Sequence, residues 1–387
     1  MKKFNGFIRV VSYILVAAVA LSIGVFAGER KAKRSDKLVE LQSLLEACFI
    51  GDTDRKALED GAAAGMVAAL GDRWSYYIPA DQYDSYVEQM ENAYVGIGIT
   101  ISAEDSAEGF EVLQVEPNGG AGEAGIHPGD ILTAVEGNSV TELGMDETRN
   151  LIRGEEATTV KITVRRDGEE LTFDVARKLI QVVVASGQLL EDNIGLVTIN
   201  NFDQRCAEET IEAIEQLLEQ GATALIFDVR NNPGGYKDEL VRILDYLLPE
   251  GALFRSISYT GKETVDESDA KCLELPMAVL VNADSYSAAE FFAAALEEYE
   301  WAVTVGNHTV GKSYFQTTHR LNDGSAVGLS TGKYCTPNGV SLAEVGGLEP
   351  QIVVEVDEET AANIYADLLK PEEDPQIKAA IEAVKKG

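Results

Sequence analysis

Apolar residues recur at the spacing of a helix in the first part of this chain of 387 residues. Leucine returns every third or fourth position from Leu38 to Leu45, and the Ala-rich stretch over 58–70 keeps the same period. We therefore expect a helical region over residues 29–90. Its apolar face is expected to pack on the rest of the chain or on a second copy, as in a homodimer or a higher oligomer.

From residue 179 to 387 the pattern changes to short apolar runs that alternate with amphipathic ones. Short runs between turn residues predict buried strands, and the longer runs predict helices. The expected strands are 194–199, 224–229, 276–281 and 303–306, and the expected helices are 208–220 and 288–296. This alternation is typical of an α/β domain.

A third pattern is the run from Val10 to Ala27, which carries no charge over 18 residues. As a helix it reaches about 27 Å, close to a bilayer core of about 30 Å, and counting from Phe7 makes the span sufficient. We expect a signal anchor or a cleaved signal peptide over residues 1–28, with membrane contact through 7–27, and favour the anchor. Basic residues flank both ends, so they leave the orientation open.

Charge and cysteine content narrow the class of partner. The net charge is −33 at pH 7, and the acidic residues are spread along the chain. That balance argues against a basic face that binds nucleic acid. The four cysteines lie far apart with no Cys-x-x-Cys spacing, which rules out a sequence-local zinc site. They leave open buried thiols, which we favour, and a disulfide outside the cytosol.

Three short segments carry candidate chemistry. The strand at 224–229 leads into Arg-Asn-Asn-Pro-Gly234-Gly235, a loop that presents backbone N–H groups to an oxyanion or only makes a tight turn. Ser287 opens an apolar helix, and Lys312 follows an apolar strand. A serine nucleophile needs a base, and a lysine is a base only when neutral, which apolar surroundings favour. A helix cap at Ser287 and a surface lysine at 312 are the alternatives.

These segments resemble the active site of the C-terminal processing peptidases, the tail-specific Ser/Lys proteases of family S41. The matching runs are Asn-Ala-Asp-Ser-Tyr-Ser287-Ala-Ala-Glu290 and Val305-Gly-Asn-His-Thr-Val-Gly-Lys312-Ser-Tyr-Phe-Gln316. The resemblance implies that Ser287 is the nucleophile, that Lys312 is its base, and that Gln316 steadies the lysine.

The same resemblance places an oxyanion hole at the backbone amides of Ala288 and Gly235, with Gly234 as a further candidate. Two residues beside the nucleophile and the base depart from the family pattern. Tyr286 stands where the family often has Ala, and Ser313 where it usually has Gly. We expect these two to reshape the pocket. None of the three histidines is expected to be catalytic.

Residues 91–178 resemble a PDZ domain. The matching runs are Tyr94-Val-Gly-Ile-Gly-Ile99, for the carboxylate-binding loop and its strand, and Ala121-Gly-Glu-Ala-Gly-Ile-His-Pro-Gly-Asp-Ile-Leu132. The resemblance implies that a peptide adds as a strand and that its C-terminal carboxylate meets the backbone of Gly96, Ile97, Gly98 and Ile99. Residues 145–153 would form the groove helix. A β-domain that binds nothing is the alternative.

The predicted fold class is α/β and multidomain. Its parts are the N-terminal segment 1–28, the helical region 29–90, a β-rich PDZ domain with two helices over 91–178, and a Ser/Lys protease core of crotonase-like ββα type over 179–387.

The expected function is a serine endopeptidase that recognises the C-terminal region of protein substrates, without metal or cofactor. The resemblance implies a single-pass membrane protein with an extracytoplasmic catalytic domain, or a secreted one if the segment is cleaved. A catalytically silent PDZ scaffold is the main alternative, and a crotonase-type acyl-CoA enzyme is a weaker one.

Overall fold

The computed structural model describes residues 37–102, 108–116, 118–366 and 368–386. The expected membrane segment over 7–27 lies outside these residues. Within them, no helix is both long and apolar enough to cross a bilayer. All four cysteines lie in the described ranges, and each is a free thiol. Contacts divide the described residues into two compact units, one holding 37–80 with 318–329 and the other holding the described residues of 81–317 and 330–386.

The first unit is mainly helical. Its elements are the helices α1 (37–48) and α2 (Arg55–Ala68) and the strand β1 (Tyr76–Ile78). Asp54 caps α2 by accepting hydrogen bonds from the amides of Lys56 and Ala57. Residues 76–78 pair antiparallel with residues 326–328. The apolar residues of α1 are mostly exposed, and the expected oligomer stays a prediction.

The second unit begins with a helix and a β-rich region. Its elements are α3 (Tyr83–Glu91), β2 (Ala93–Gly96), β3 (Ile99–Ile101), β4 (Phe110–Val115), α4 (Gly120–Ala124), β5 (Ile131–Val135), β6 (Asn138–Ser139), α5 (Val140–Leu143), α6 (Met145–Ile152), β7 (Thr159–Arg166), β8 (Glu169–Ala176) and β9 (Lys178–Gln181). The strand order β3-β4-β5-β7-β8 leaves β3 at an edge of the sheet. Gly144, at φ 77°, separates α5 from α6, so the expected two helices are three short ones.

An α/β region follows, of which residues 318–329 belong to the first unit. Its elements are β10 (Ala185–Leu189), a 3₁₀ turn (Glu191–Asn193), β11 (Ile194–Ile199), α7 (Cys206–Glu219), β12 (Ala224–Asp228), α8 (Lys237–Leu247), β13 (Gly251–Ser258), β14 (Glu263–Ser268), β15 (Met277–Val281), α9 (Ala288–Glu298), β16 (Ala302–Gly306), β17 (Tyr314–Arg320), β18 (Ala326–Cys335), α10 (Leu342–Val345), β19 (Ile352–Val353), α11 (Glu358–Tyr365) and α12 (Pro375–Val384).

The centre of this region is a six-stranded sheet with the order β10-β11-β12-β15-β16-β19. Neighbours from β11 to β19 pair in parallel, and both faces are covered, as parallel sheets require. Leu225 and Phe227 belong to a core that includes α7, α8 and α9. Ile226, between them, points to the opposite face and packs with Ile377 and Val384 of α12. The period of two along β12 therefore assigns one face to three helices and the other to the C-terminal helix.

Candidate active site

Three loops meet at one edge of the central sheet, because the parallel strands β12, β15 and β16 end there side by side. They cover residues 229–236, 282–287 and 307–313. The first holds Gly234 and Gly235, the second leads to Ser287, and the third leads through Lys312 into β17. Clefts beside the carboxyl ends of parallel strands are common ligand sites in α/β folds.

Polar side chains join the first two loops. The Asn231 amide donates to Asn282 Oδ1 at 2.9 Å, and Asn282 Nδ2 donates to Asn231 Oδ1 at 2.7 Å. The buried Ser285 hydroxyl donates to the Val229 carbonyl at 2.7 Å. These bonds fix the glycine loop relative to the segment that presents Ser287.

Ser287 lies in a strained turn between β15 and α9. Its backbone has φ 60° and ψ −121°, a combination that side chains disfavour and that costs on the order of 1–3 kcal/mol. Such strain clusters at active sites, where the surrounding structure holds it in place. The turn puts the serine immediately before the first residue of α9, whose N-terminus favours developing negative charge.

Glu290 connects the loop that leads to Ser287 (282–287) with the loop that carries Lys312 (307–313, the lysine loop). Its side chain is fully buried, and its Oε2 accepts hydrogen bonds from the amides of Ser287 at 3.2 Å and Lys312 at 2.8 Å. Oε1 accepts from the Thr309 hydroxyl at 2.6 Å and the Gly311 amide at 2.8 Å. A single carboxylate oxygen thus holds the backbones of the predicted nucleophile and the predicted base together.

Tyr334 provides a second link between these two residues. Its hydroxyl donates to the Lys312 carbonyl at 2.7 Å. Burial raises the pKa of Tyr334 far above its ordinary value, and a hydrogen bond with the Ser287 hydroxyl opposes that rise. The ring packs against Phe254 and Phe291, with centroids 5.2 and 5.7 Å away. The tyrosine is therefore a rigid, neutral side chain beside Ser287.

The Lys312 side chain is half-buried, and its Nζ lies 5.9 Å from the centroid of the Tyr286 ring. That distance suits a cation–π contact. Burial raises the pKa of Tyr286 as well. Tyr286, one of the two departures from the family pattern, therefore lines the surroundings of the lysine.

Gln316 and Ser313 follow the lysine. Gln316 Nε2 donates hydrogen bonds to the Tyr314 carbonyl at 3.2 Å and to the Ser330 hydroxyl at 3.1 Å. Its role in steadying Lys312 stays a prediction. Ser313, the other departure, is buried, and its hydroxyl accepts from the Ala343 amide at 3.0 Å. It anchors the lysine loop to the start of α10.

The predicted oxyanion donors are the backbone amide of Ala288, which follows Ser287, and the amides of Gly234 and Gly235 in the first loop. A Cβ on Gly234 would come within 2.7 Å of the Ala288 nitrogen and of Ser287 Cβ, so only glycine fits there. The Gly234 amide, however, already donates to Asn232 Oδ1 at 2.8 Å. Gly235 pairs with Phe202 through the Gly234 carbonyl and the Tyr236 amide, and neither bond uses the Gly235 N–H. Gly235 is thus the better candidate of the two glycines.

The PDZ residues lie together in a separate segment. Gly96 ends β2, Ile99 begins β3, and Ile97 and Gly98 connect the two strands. The carbonyls of Ile97 and Gly98 accept from the amides of Ala121 and Glu116, each at 2.9 Å. A Cβ on Gly98 would approach Gly119 Cα to 2.8 Å. The connecting segment is therefore fixed beside the open edge of β3.

Glu290 ends one of the matching runs, but the sequence analysis assigns no role to Glu290 or to Tyr334. A signal for Glu290 was available, because Ser-x-x-Glu at a helix start is the capping-box pattern. The contacts of Tyr334 depend on β18 returning beside α9, which no local pattern reveals.

Comparison with known proteins gives two family matches. A model of peptidase family S41 matches residues 193–354, and a PDZ domain model matches residues 111–166. The carboxy-terminal processing protease CtpA of Bacillus subtilis (strain 168) is 31% identical over 362 residues, covering 90% of this chain and 77% of that protein. The "Probable CtpA-like serine protease" of Staphylococcus aureus (strain COL) is 30% identical, covering 93% and 73%.

A solved structure assigned to an S41 protease of Bacteroides fragilis NCTC 9343 is similar in fold. Its TM-score is 0.52 at 14% identity, and the match covers 89% of this chain and 96% of that one.

Proposed function

The chain belongs to peptidase family S41 and is a serine-type endopeptidase with a PDZ domain, and from this premise we propose that it captures the C-terminal tails of proteins and cleaves them with a Ser287–Lys312 dyad. The predicted family and fold class are confirmed. The domain boundaries and the individual site residues stay predictions.

The observation that carries the proposal is the shared Glu290 oxygen. Its bonds to the Ser287 and Lys312 amides keep the two residues near each other, whichever rotamers their side chains adopt. The Lys312 side chain is half-buried beside the Tyr286 ring. The nucleophile and its base are thus supported by one buried group.

The reaction follows from these positions. Ser287 Oγ attacks the scissile carbonyl while Lys312 Nζ takes the hydroxyl proton, and the lysine then gives that proton to the leaving amine. Water, activated by the same amine, hydrolyses the acyl-enzyme. The amides of Ala288 and Gly235 donate to the oxyanion that forms at each step, a contribution of about 2.7–4 kcal/mol per donor in related chemistry.

Tail capture rests on the PDZ segment. β3 lies at the edge of its sheet, so a peptide strand can pair with it, and the fixed loop over 96–99 offers backbone amides to a terminal carboxylate. We also propose membrane attachment through residues 7–27, because residues 10–27 carry no charge; the placement of the catalytic domain outside the cytoplasm rests on the family resemblance.

The test uses the full chain in detergent micelles and a folded reporter protein with an unstructured C-terminal tail. We expect wild type to shorten the tail. Ser287→Ala and Lys312→Ala should each lose activity on the order of 10³-fold or more, and the double variant should be no worse, because residues that act as one unit are not additive. Losses that multiply would contradict the dyad. Binding of the tail without cleavage by wild type would favour a silent scaffold instead.

A further inference from the structure

The start of the C-terminal helix α12 carries two buried polar residues that the mechanism above does not use. Asp374 is 2% exposed and Gln376 is 1% exposed. Asp374 Oδ1 caps the helix by accepting from the amides of Gln376 at 2.8 Å and Ile377 at 3.1 Å. Capping accounts for the burial of Asp374 Oδ1. It does not account for Asp374 Oδ2 or for the Gln376 side chain.

The remaining Asp374 oxygen contacts the glycine loop. Arg230 Nη1 donates to Asp374 Oδ2 at 2.7 Å and to Gln376 Oε1 at 2.9 Å, while Arg230 Nη2 donates to Asp228 Oδ2 at 2.6 Å. Burial by itself would lower the pKa of Arg230, but Asp228 and Asp374 raise it above its ordinary value. The arginine is therefore a charged, buried link between α12 and the loop that ends at Gly235.

The amide nitrogen of Gln376 contacts the other side of the site. Nε2 donates to Asn307 Oδ1 and to the Val354 carbonyl, both at 2.9 Å. Asn307 is the first residue after β16, and its own amide donates to the Val281 carbonyl at 3.0 Å. This residue opens the loop that carries Lys312.

One side chain thus bonds to the base of two loops: its oxygen to the loop that leads to Gly235, its nitrogen to the loop that leads to Lys312. Both contacts lie at the strand ends, so a shift of α12 would move the oxyanion donor relative to the lysine. A side chain that served only helix packing would need neither contact, since Ile377 and Val384 of α12 already pack on the sheet.

We propose that Asp374 and Gln376 are positioning residues that hold the glycine loop and the lysine loop in register for catalysis. The expected change in turnover rests on the proposed function. The expected change in the order of the two loops rests on the hydrogen bonds alone. Neither residue touches the reacting atoms, so their effect is expected in turnover and loop order rather than in substrate binding.

Two variants of Gln376 separate the two contacts. Gln376→Met removes both. Gln376→Glu keeps an oxygen for Arg230 but sets the second carboxylate oxygen against Asn307 Oδ1 and the Val354 carbonyl, which are both acceptors. Val384→Ala is the matched control, because it removes apolar packing from the same helix without touching either loop.

Amide hydrogen exchange of the full chain, carrying Ser287→Ala to prevent self-cleavage, is the first measurement. We expect Gln376→Met to speed exchange over both 230–236 and 307–312, and Gln376→Glu to speed it over 307–312 alone. Val384→Ala should lower the melting temperature and leave both loops as in wild type. Unchanged loops in Gln376→Met would overturn the proposal.

The second measurement is turnover of the tailed reporter by the same variants with Ser287 restored. We expect Gln376→Met to lower kcat at least tenfold with KM within twofold of wild type, and Val384→Ala to keep the wild-type kcat. Equal losses of kcat in both variants would reduce the role to stability and overturn the proposal. A wild-type chain without activity would count against the dyad, and the exchange result would still decide the positioning role.

Discussion

The peptidase core and the PDZ domain hold their functional loops by different means. In the core, buried side chains cross from loop to loop, and Glu290 alone accepts four hydrogen bonds. In the PDZ domain, the segment between β2 and β3 is held through its own carbonyls, which Ala121 and Glu116 satisfy.

The difference follows from what each loop has to do. Catalytic groups must be held within a fraction of an ångström, and buried side-chain networks supply that rigidity. A strand-adding groove needs an unpaired edge, and among the described residues β3 lies at such an edge of its sheet. Loss of a polar contact in the core should therefore reduce turnover. In the PDZ domain, a change to the peptide terminus should instead alter the affinity for the peptide.

Outside the proposed dyad itself, the largest expected effect comes from Glu290→Gln. The amide group replaces one acceptor oxygen with a donor, so at least one backbone N–H among those of Ser287, Gly311 and Lys312 loses its partner, at about 1–3 kcal/mol. We expect kcat to fall about 100-fold or more, and the free energy of unfolding to fall by about 1–3 kcal/mol. Steady-state cleavage and urea unfolding measure these two quantities.

Glu297→Gln is the control for this prediction, because Glu297 lies on the same helix and accepts from the Thr304 hydroxyl. Burial raises the pKa of Glu297, so a neutral amide should be tolerated there. A Glu290→Gln variant as active as this control would contradict the shared-carboxylate account of the site.

The next effect concerns Asp203, which follows the Phe202 that pairs with Gly235. Within the residues that the structure describes, its Oδ1 has no hydrogen-bond partner. Burial raises the pKa of Asp203 from 3.8 to about 7. The folded state therefore keeps a proton that the unfolded chain releases, so the contribution to stability is full below pH 3.8 and is lost as the pH rises through about 7.

Asp203→Asn should remove that pH dependence. In a Ser287→Ala background, we expect its free energy of unfolding to match the parent near pH 4 and to exceed it by about 2 kcal/mol or more at pH 8, since one pKa unit corresponds to about 1.4 kcal/mol. Urea unfolding at both pH values tests this. Equal slopes with pH in the two proteins would show that Asp203 is ionised in the folded state.

The PDZ domain should respond to the peptide terminus by a smaller amount. Amidating a tail peptide removes the carboxylate that the amides around Gly98 would bind, and charge-assisted hydrogen bonds contribute roughly 1.5–3 kcal/mol. Affinity for the full-length Ser287→Ala chain should fall at least tenfold. Titration with matched acid and amide peptides measures it, and equal affinities would show that the groove reads internal sequence.

The smallest effect is expected from the strained turn. Glycine adopts the Ser287 backbone angles readily, whereas alanine shares the strain of serine. Ser287→Gly should therefore be about 1 kcal/mol more stable than Ser287→Ala, with both inactive. Thermal unfolding of the pair checks this, and a less stable glycine variant would show that helix capping or chain entropy outweighs the strain.

Local pattern predicted the elements of the core well. The expected strands over 194–199 and 276–281 differ by at most one residue from β11 and β15, since continuous apolar runs between turn residues leave little freedom. The expected helix over 208–220 begins at Cys206 in the structure. Arg205, in a left-handed conformation, starts that helix earlier, and no residue preference announces it.

The residues of the candidate site also fall into those that a local pattern indicates and those that depend on distant packing. Matching segments pointed to Ser287, Lys312 and the glycine loop, because each lies in a short run with its own signature. The pairing of Arg230 with Asp374 spans 144 residues, and such a contact depends on how α12 packs across the sheet. The N-terminal expectations concern residues 1–28, outside the described chain, and stay predictions.

The distance along the chain between Arg230 and its partners has a consequence for biosynthesis. The loops over 229–236, 282–287 and 307–313 are translated before Asp374 and Gln376, so a growing polypeptide has the predicted nucleophile and the predicted base before the residues that we propose as their positioning groups. On the positioning proposal, the enzyme reaches its full turnover only after the start of α12 has emerged and packed against the two loops.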